Sequence, residues 1–170
     1  MRGDERWERL FEELAGHEEP AWDEADLAEL IVAERVGVRL VERLVGVLGA
    51  PISLTTTGGR ALSGRLAGLA DTWLVLSEES AEHLVVVAGI ATVGPLGPPR
   101  PGSRAMPLGM ALRRIATRGA HVVVDCGVEV RGHIVAVGAD HLEVRGEGGS
   151  VTAVPTAALT SVRCAPGTFE

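Results

Sequence analysis

The chain has 170 residues, 46% of them hydrophobic but only 3% aromatic, so it can bury a core built mainly from aliphatic side chains. The net charge is −7, the most apolar stretch is interrupted by charges too soon for a bilayer span, and two cysteines make no disulfide framework. Because the acidic N-terminus is also no signal sequence, we expect a cytoplasmic protein without a membrane-spanning helix.

The first predicted element is an acidic helical segment, residues 1–37. Residues 1–34 contain twelve acidic side chains against three arginines, a net charge of −9. Apolar residues at helical spacing predict a short helix with the stripe Trp7, Leu10, Phe11 and Leu14. A second helix is predicted from about Glu24 to Leu48, because Asp23 is a good N-cap.

Two regions of alternating apolar residues follow, and both predict β-strands. The first covers residues 52–76 and, after a predicted loop at residues 77–83, continues to residue 93. The second predicts five strands, at His121–Asp125, Val128–Val137, His141–Arg145, Val151–Val154 and Leu159–Arg163. Between the two regions, the Pro- and Gly-rich segment 95–107 predicts a linker, and residues 108–118 predict a short helix.

The two regions repeat each other. Residues 52–76 align without a gap on the residues 68 positions later, so that Leu54 matches Val122. Gly64 and Gly132 also match, at places where a sharply bent strand needs glycine. The predicted repeating unit is a short helix followed by about five bent strands.

The first region resembles the first sequence motif of Sm and Sm-like (LSm-type) proteins. It has an apolar strand at Leu54, a turn glycine at Gly59, a second glycine at Gly64, then Asp71 and an apolar strand from Leu74. The resemblance implies small five-stranded barrels, each with a leading helix, and the whole arrangement is similar to tandem-barrel proteins of actinobacteria. Uridine pockets of Sm proteins use an Asn after that Asp, and this chain contains no Asn, so the resemblance gives little support to base-specific RNA binding.

We therefore expect an α+β fold in which acidic N-terminal helices precede two Sm-like or SH3-like β-barrels. The expected boundaries are an acidic segment at 1–37, a first barrel with its leading helix at 38–94, a linker at 95–107, a second barrel with its leading helix at 108–164, and a tail at 165–170.

No motif in the sequence predicts an enzyme. The glycine-rich stretch 146–150 lacks the Lys of a phosphate loop and favours a hairpin turn. His121, His133 and His141 point outward if the apolar residues of the second region point inward, but their spacing shows no firm metal-ligand pattern. We expect these histidines to lie on the surface, with no metal and no other cofactor.

Residues 83–124 contain no acidic side chain but five arginines: Arg100, Arg104, Arg113, Arg114 and Arg118. Guanidinium groups bind phosphates well, which makes an RNA- or DNA-binding regulatory protein the alternative function. The preferred interpretation is that this basic stretch docks on the acidic N-terminus, within one chain or between two copies.

A contact surface is predicted where residues of the first region alternate outward: Ala61, Ala67, Trp73 and Val75. An apolar surface with an exposed Trp is typical of protein interfaces. Packing of Trp73 under the N-terminal helix that contains Leu27 and Ile31 is the slightly favoured alternative. The leading functional hypothesis is a non-catalytic interaction or scaffold protein that binds itself or another protein.

Overall fold

A computed structural model describes residues 37–102 and 105–169. Within these residues the chain forms two α-helices, α1 (Leu40–Val45) and α2 (Leu108–Thr117), and two 3₁₀ turns, Val87–Gly89 and Thr156–Ala158. The strands are β1 (Pro51–Thr56), β2 (Ala61–Leu69), β3 (Trp73–Ser77), β4 (Glu82–Val86), β5 (Ile90–Gly94), β6 (His121–Asp125), β7 (Glu129–Val137), β8 (His141–Arg145), β9 (Val151–Pro155) and β10 (Ser161–Cys164). The strands predicted at β6 and β8 are confirmed with their bounds, and those predicted at β7, β9 and β10 are present with ends that differ by one or two residues.

The strands form one antiparallel sheet in the order β5-β1-β2-β3-β4-β10-β6-β7-β8-β9. The prediction of two helix-plus-barrel units is therefore wrong, because β4 and β10 pair directly and make the two halves one continuous sheet. Alternating apolar residues indicate which side chains are buried, but not which strand edges pair. The acidic N-terminal helices of that prediction lie outside the described residues.

Helix α1 is much shorter than the helix predicted from about Glu24 to Leu48. It begins after Arg39, whose N–H donates a hydrogen bond to Glu42 Oε2 at 3.0 Å, and this contact fixes the start of the helix. The predicted residues before 37 lie outside the described part of the chain. Neither α1 nor α2 is long and apolar enough to cross a membrane, and they are the α-helices of the described residues.

The two halves of the sheet repeat the same strand order. Strands β5-β1-β2-β3-β4 correspond to β10-β6-β7-β8-β9, and β2 and β7 each shift register at the same point, after Leu66 and Ile134. Between the equivalent register pairs Leu54–Leu62 and Val124–Val130, the first hairpin contains two residues more than the second. Leu54 therefore occupies the position of Val124, and not that of Val122 as the gapless alignment predicts.

Two apolar clusters stabilise the sheet. The first lies within the first half and is built around Leu44 of α1. The second combines the interior of the second half with α2 and with the opposite face of the first half, including Trp73, Val75 and Leu84. Burying one such large apolar side chain contributes about 1.5–3 kcal/mol. Because the second cluster contains residues of both halves, it holds them together.

The beginning of the predicted linker packs on α1. The N–H of Gly97 donates to the carbonyl of Arg43 at 3.2 Å. A Cβ added at Gly46 would lie 2.3 Å from the carbonyl oxygen of Pro98, so this close approach requires glycine. The chain that follows β5 is thus held against the first half of the sheet.

Candidate functional site

The β4–β10 junction joins the two halves of the sheet. The N–H of Val86 donates to the carbonyl of Thr160 at 3.0 Å. Because hydrogen-bonded and non-hydrogen-bonded pairs alternate along an antiparallel ladder, Leu84 and Val162 also form a hydrogen-bonded pair. The side chains of Leu84 and Val162 are both fully buried in the second apolar cluster. The junction is therefore both hydrogen-bonded and apolar.

Ionic contacts between two turns reinforce this junction. Arg60, from the β1–β2 turn, places Nε 3.4 Å from Oδ2 of Asp125 and pairs through Nη2 with Glu129. The other carboxylate oxygen of Glu129 accepts a hydrogen bond from Arg131 at 2.8 Å. Hydrogen bonds from Arg131 and Arg60 lower the pKa of Glu129 to about 2, which keeps this carboxylate charged at neutral pH.

His83 is a buried titratable residue at the same junction, with Leu76 and Arg163 as its register partners. Its side chain is 5% exposed, its Nε2 lies 3.4 Å from Glu78 Oε1, and its Nδ1 has no hydrogen-bond partner among the described residues. Burial lowers the pKa of His83; Glu78 opposes this shift, and Arg163 and Arg60 add to it. The imidazole is therefore neutral at pH 7.

Within the described residues, the edge strands of the sheet are β5 and β9, which correspond to β10 and β4. Neither strand contains a charged residue, and Val151 of β9 is 48% exposed. Ala153 in the middle of β9 and Thr92 in the middle of β5 are exposed as well. Edge strands without charged side chains lack a common protection against pairing with a strand of another chain.

A groove of about 630 Å³ lies between α2 and the face of β2 and β3. Its polar lining residues are Arg65, Ser77, Glu82 and Arg114. Apolar side chains form the remaining lining: Ala67, Leu69, Ala70, Trp73, Val75, Met106, Met110, Ala111 and Phe169, together with Gly68.

Two hydrogen bonds fix parts of the groove wall. The indole Nε1 of Trp73 donates to the carbonyl of Met106 at 2.9 Å. The carboxylate of Glu82 accepts a bond from the N–H of Phe169 at 3.0 Å, which attaches the end of the described chain to β4. The groove thus has one wall from strands β2, β3 and β4 of the first half and another from α2 and the end of the described chain.

The four residues predicted as an outward contact surface separate into two pairs. Ala61 and Ala67 are exposed, whereas Trp73 and Val75 are buried in the second apolar cluster beside α2. The sequence pattern shows that Trp73 and Val75 point away from the interior of the first half. It does not show that α2 covers them. The groove brings Ala67, Trp73 and Val75 together, whereas Ala61 is outside its lining. The helix residues expected to cover Trp73 lie outside the described part.

The predicted arginines are distributed over two places. Arg113, Arg114 and Arg118 are exposed on α2 and at its C-cap, and Arg118 donates to the carbonyl of Gly167. Arg100 is exposed in the segment after β5, and Arg104 lies outside the described residues. The structure therefore groups three of the five arginines on α2 and at its C-cap.

Two of the three outward histidines lie side by side. His121 and His133 are register partners, and their rings meet edge to face with centroids 5.4 Å apart. His141 lies apart from this pair, with Nδ1 2.8 Å from Asp140 Oδ1, and this hydrogen bond raises the pKa of His141. In the described part of the chain, no three or more His, Cys, Asp or Glu side chains converge as metal ligands.

Sequence reasoning missed the junction residues Arg60, His83, Asp125 and Glu129. It assigned His83 to a loop, although β4 begins at Glu82. No local pattern marks these residues, because their contacts join elements that are far apart in the chain. The sequence matches no protein-family model and shows no significant similarity to a curated protein. The resemblance to Sm-like proteins therefore stays a prediction.

Proposed function

We propose that this protein is a non-catalytic scaffold that self-associates head to tail, with β9 of one copy pairing with β5 of the next. One observation carries the proposal: these edges correspond to β4 and β10, which pair within the chain. Repeating that junction between copies places Ala153 opposite Val93, as Leu84 lies opposite Val162. Ala153 would then be buried between copies, as Leu84 is buried inside the chain.

Side chains at the two turns support this pairing. Within the chain, Arg60 pairs with Glu129 across the junction. The corresponding residues between copies are Val128 and Ala61, which are uncharged and exposed, Val128 to 68%. The Arg60–Glu129 ion pair inside the chain thus corresponds to a Val128–Ala61 pair between chains. In each pair the two side chains match, by opposite charge in the first and by apolar character in the second.

Prolines limit the length of the proposed ladder. Pro155 occupies the position of Val86 and has no N–H to donate, and Pro95 follows β5 directly. The remaining edge between them is short, so pairing is confined to one register. Because different edges meet in this contact, repeated association forms a closed ring or an open filament.

Light scattering at increasing protein concentration tests the proposal. We expect multiples of the 17.8 kDa chain, and expect Ala153→Lys to give monomers because the charge would be buried at the pairing edge. Ala139→Lys, at an exposed loop position, is the matched control and should associate like the wild type. A wild-type protein that stays monomeric at its highest soluble concentration would contradict the proposal.

A charge exchange tests the register of the contact. Val128→Arg and Ala61→Glu should each weaken association about tenfold, because each places one unpaired charge at the interface. The double variant should recover association, since it installs between copies the ion pair that Arg60 and Glu129 form within the chain. If the double variant associates more weakly than either single variant, by the sum of their two losses in binding free energy, this register is ruled out.

Nucleic-acid binding is the second candidate, supported by the exposed arginines Arg113, Arg114 and Arg118 on one helix. Binding through phosphate contacts would weaken steeply with salt. A gel shift with mixed RNA and DNA at low salt should show a complex that Arg113→Gln with Arg114→Gln abolishes. Absence of a shift at low salt would remove this candidate.

We place the protein in the cytoplasm. Cys126 and Cys164 are free thiols, which fits a reducing compartment. Burial raises the pKa of the Cys164 thiol to about 11, so this thiol is protonated and unreactive at neutral pH.

A further inference from the structure

The groove beside α2 has the properties of a small-molecule site. Its volume of about 630 Å³ lies within the range typical of ligand pockets, and it lies between the first half of the sheet and α2. Its wall includes the register shift after Leu66, and such bulges are frequent next to binding sites. The site is distinct from the edge strands β5 and β9, so it goes beyond the proposed self-association.

The apolar lining favours a flexible apolar ligand. Met106 and Met110 are two of the three methionines of the chain, and both line the groove. Methionine side chains are flexible and polarizable, and they occur often on surfaces that accept varied apolar groups. Met110 is 55% exposed although it is large and apolar. Trp73, fixed by its bond to Met106, adds a rigid aromatic wall.

One exposed arginine of the groove lining, Arg65, favours an anionic ligand. Two guanidinium groups, from Arg65 and Arg114, line it together with one carboxylate, from Glu82. Glu82 is buried and already accepts the Phe169 N–H. Arg65 is exposed and forms no salt bridge with any residue of the described part. The planar fork of an Arg side chain matches a carboxylate in a bidentate geometry.

We propose that this groove binds a small amphipathic carboxylic acid, with its apolar chain between Trp73 and the two methionines and its carboxylate at Arg65. Burial of the chain contributes affinity, and the guanidinium selects the anionic headgroup.

Isothermal titration of the full-length protein with decanoate, decanol and decylamine, below their micelle concentrations, tests this site. We expect one decanoate per chain, with decanol at least tenfold weaker and decylamine weaker still. Arg65→Gln should weaken decanoate about tenfold and leave decanol unchanged. Decanoate that does not bind, or that binds no better than decanol, would overturn the proposal.

A matched pair of variants locates the binding. Ala67→Phe places a ring in the groove and should abolish decanoate binding, whereas Val135→Phe, at the corresponding position of β7, should leave it unchanged. Decanoate should also shift the Trp73 indole N–H resonance of the wild type, which tests the site without any substitution. Retained binding in a folded Ala67→Phe variant, or an unshifted resonance, would place the ligand elsewhere and refute the assignment. Either result is independent of the oligomeric state.

Discussion

The guanidinium of Arg60 lies 3.4 Å from the carboxylate of Asp125, although 65 positions separate the two residues in the chain. The Asp125 side chain is only 11% exposed and the Arg60 side chain 33%, so the pair is partly shielded from water. This contact connects a turn of the first half to a turn of the second.

Replacing Arg60 with Ala should lower the free energy of unfolding by about 1 kcal/mol, because the largely buried carboxylate of Asp125 loses its charged partner. Urea denaturation measures this change. Arg39→Ala is the control, since its contact with Glu42 lies at the surface and should contribute less than about 0.5 kcal/mol. Equal losses in the two variants would show that the Arg60 contacts stabilise the fold no more than an ion pair at the surface does.

Stability should fall as the pH drops below about 6.5, the ordinary pKa of histidine, because burial lowers the pKa of His83 in the folded state. Above that pH the imidazole is neutral in both states. Below it the unfolded chain binds the proton more readily, so the free energy of unfolding decreases until the folded pKa is passed.

Denaturation of wild type and His83→Leu between pH 5 and pH 8 checks this pH dependence, with the exposed His121→Gln as control. The His83 variant should have the flatter profile. His141 acts in the opposite direction, because Asp140 raises its pKa, so the difference between variant and wild type is the quantity to compare. Identical profiles for the wild type and His83→Leu would contradict the expected effect.

Gly46→Ala should destabilise the fold by about 1–3 kcal/mol, because its Cβ would lie 2.3 Å from the carbonyl oxygen of Pro98 and force the chain after β5 away from α1. Thermal unfolding measures the loss. Gly148→Ala is the control, since no atom lies within 4 Å of its added Cβ. If Gly46→Ala unfolds at the wild-type temperature, the packing of this segment on α1 is wrong.

Trp73→Phe should cost about 1–2 kcal/mol, because it removes the hydrogen bond to Met106 and leaves space in the second apolar cluster. Chemical denaturation gives the value. Val135→Ala, which truncates an exposed side chain, should change stability by less than about 0.5 kcal/mol. A Trp73→Phe variant as stable as the wild type would mean that neither the hydrogen bond of the indole to Met106 nor its packing stabilises the fold.

Much of the strand pattern could be predicted from the sequence, because one face of each strand is buried and alternation reports that face directly. The strands β6 and β8 have their predicted bounds. The pairing of β4 with β10 could not be predicted, because it is made by backbone N–H and carbonyl groups. Almost every residue has these groups, so the sequence does not mark which strands they join. The greater length of the first hairpin could not be predicted either, because Gly59 and Gly127 align in the sequence although the register of the first hairpin includes two residues more.

The site was harder to predict than the strands. Trp73 and Val75 were identified as leaving the first interior, but what covers them is α2, more than 30 positions later in the chain. The groove needs Arg65 and Phe169 together, and a sequence pattern does not indicate a contact over that separation. Local periodicity reports a residue's own burial and gives no information on its distant neighbours.

Strand β10 is the last of the sheet to be synthesised, yet it lies at the centre with β4 on one side and β6 on the other. While the ribosome is still adding residues 161–164, the inner edges of β4 and β6 have no partner. Nascent chains on the same messenger could exchange strands at this stage, so the middle of the sheet is the place where misassembly during translation would begin.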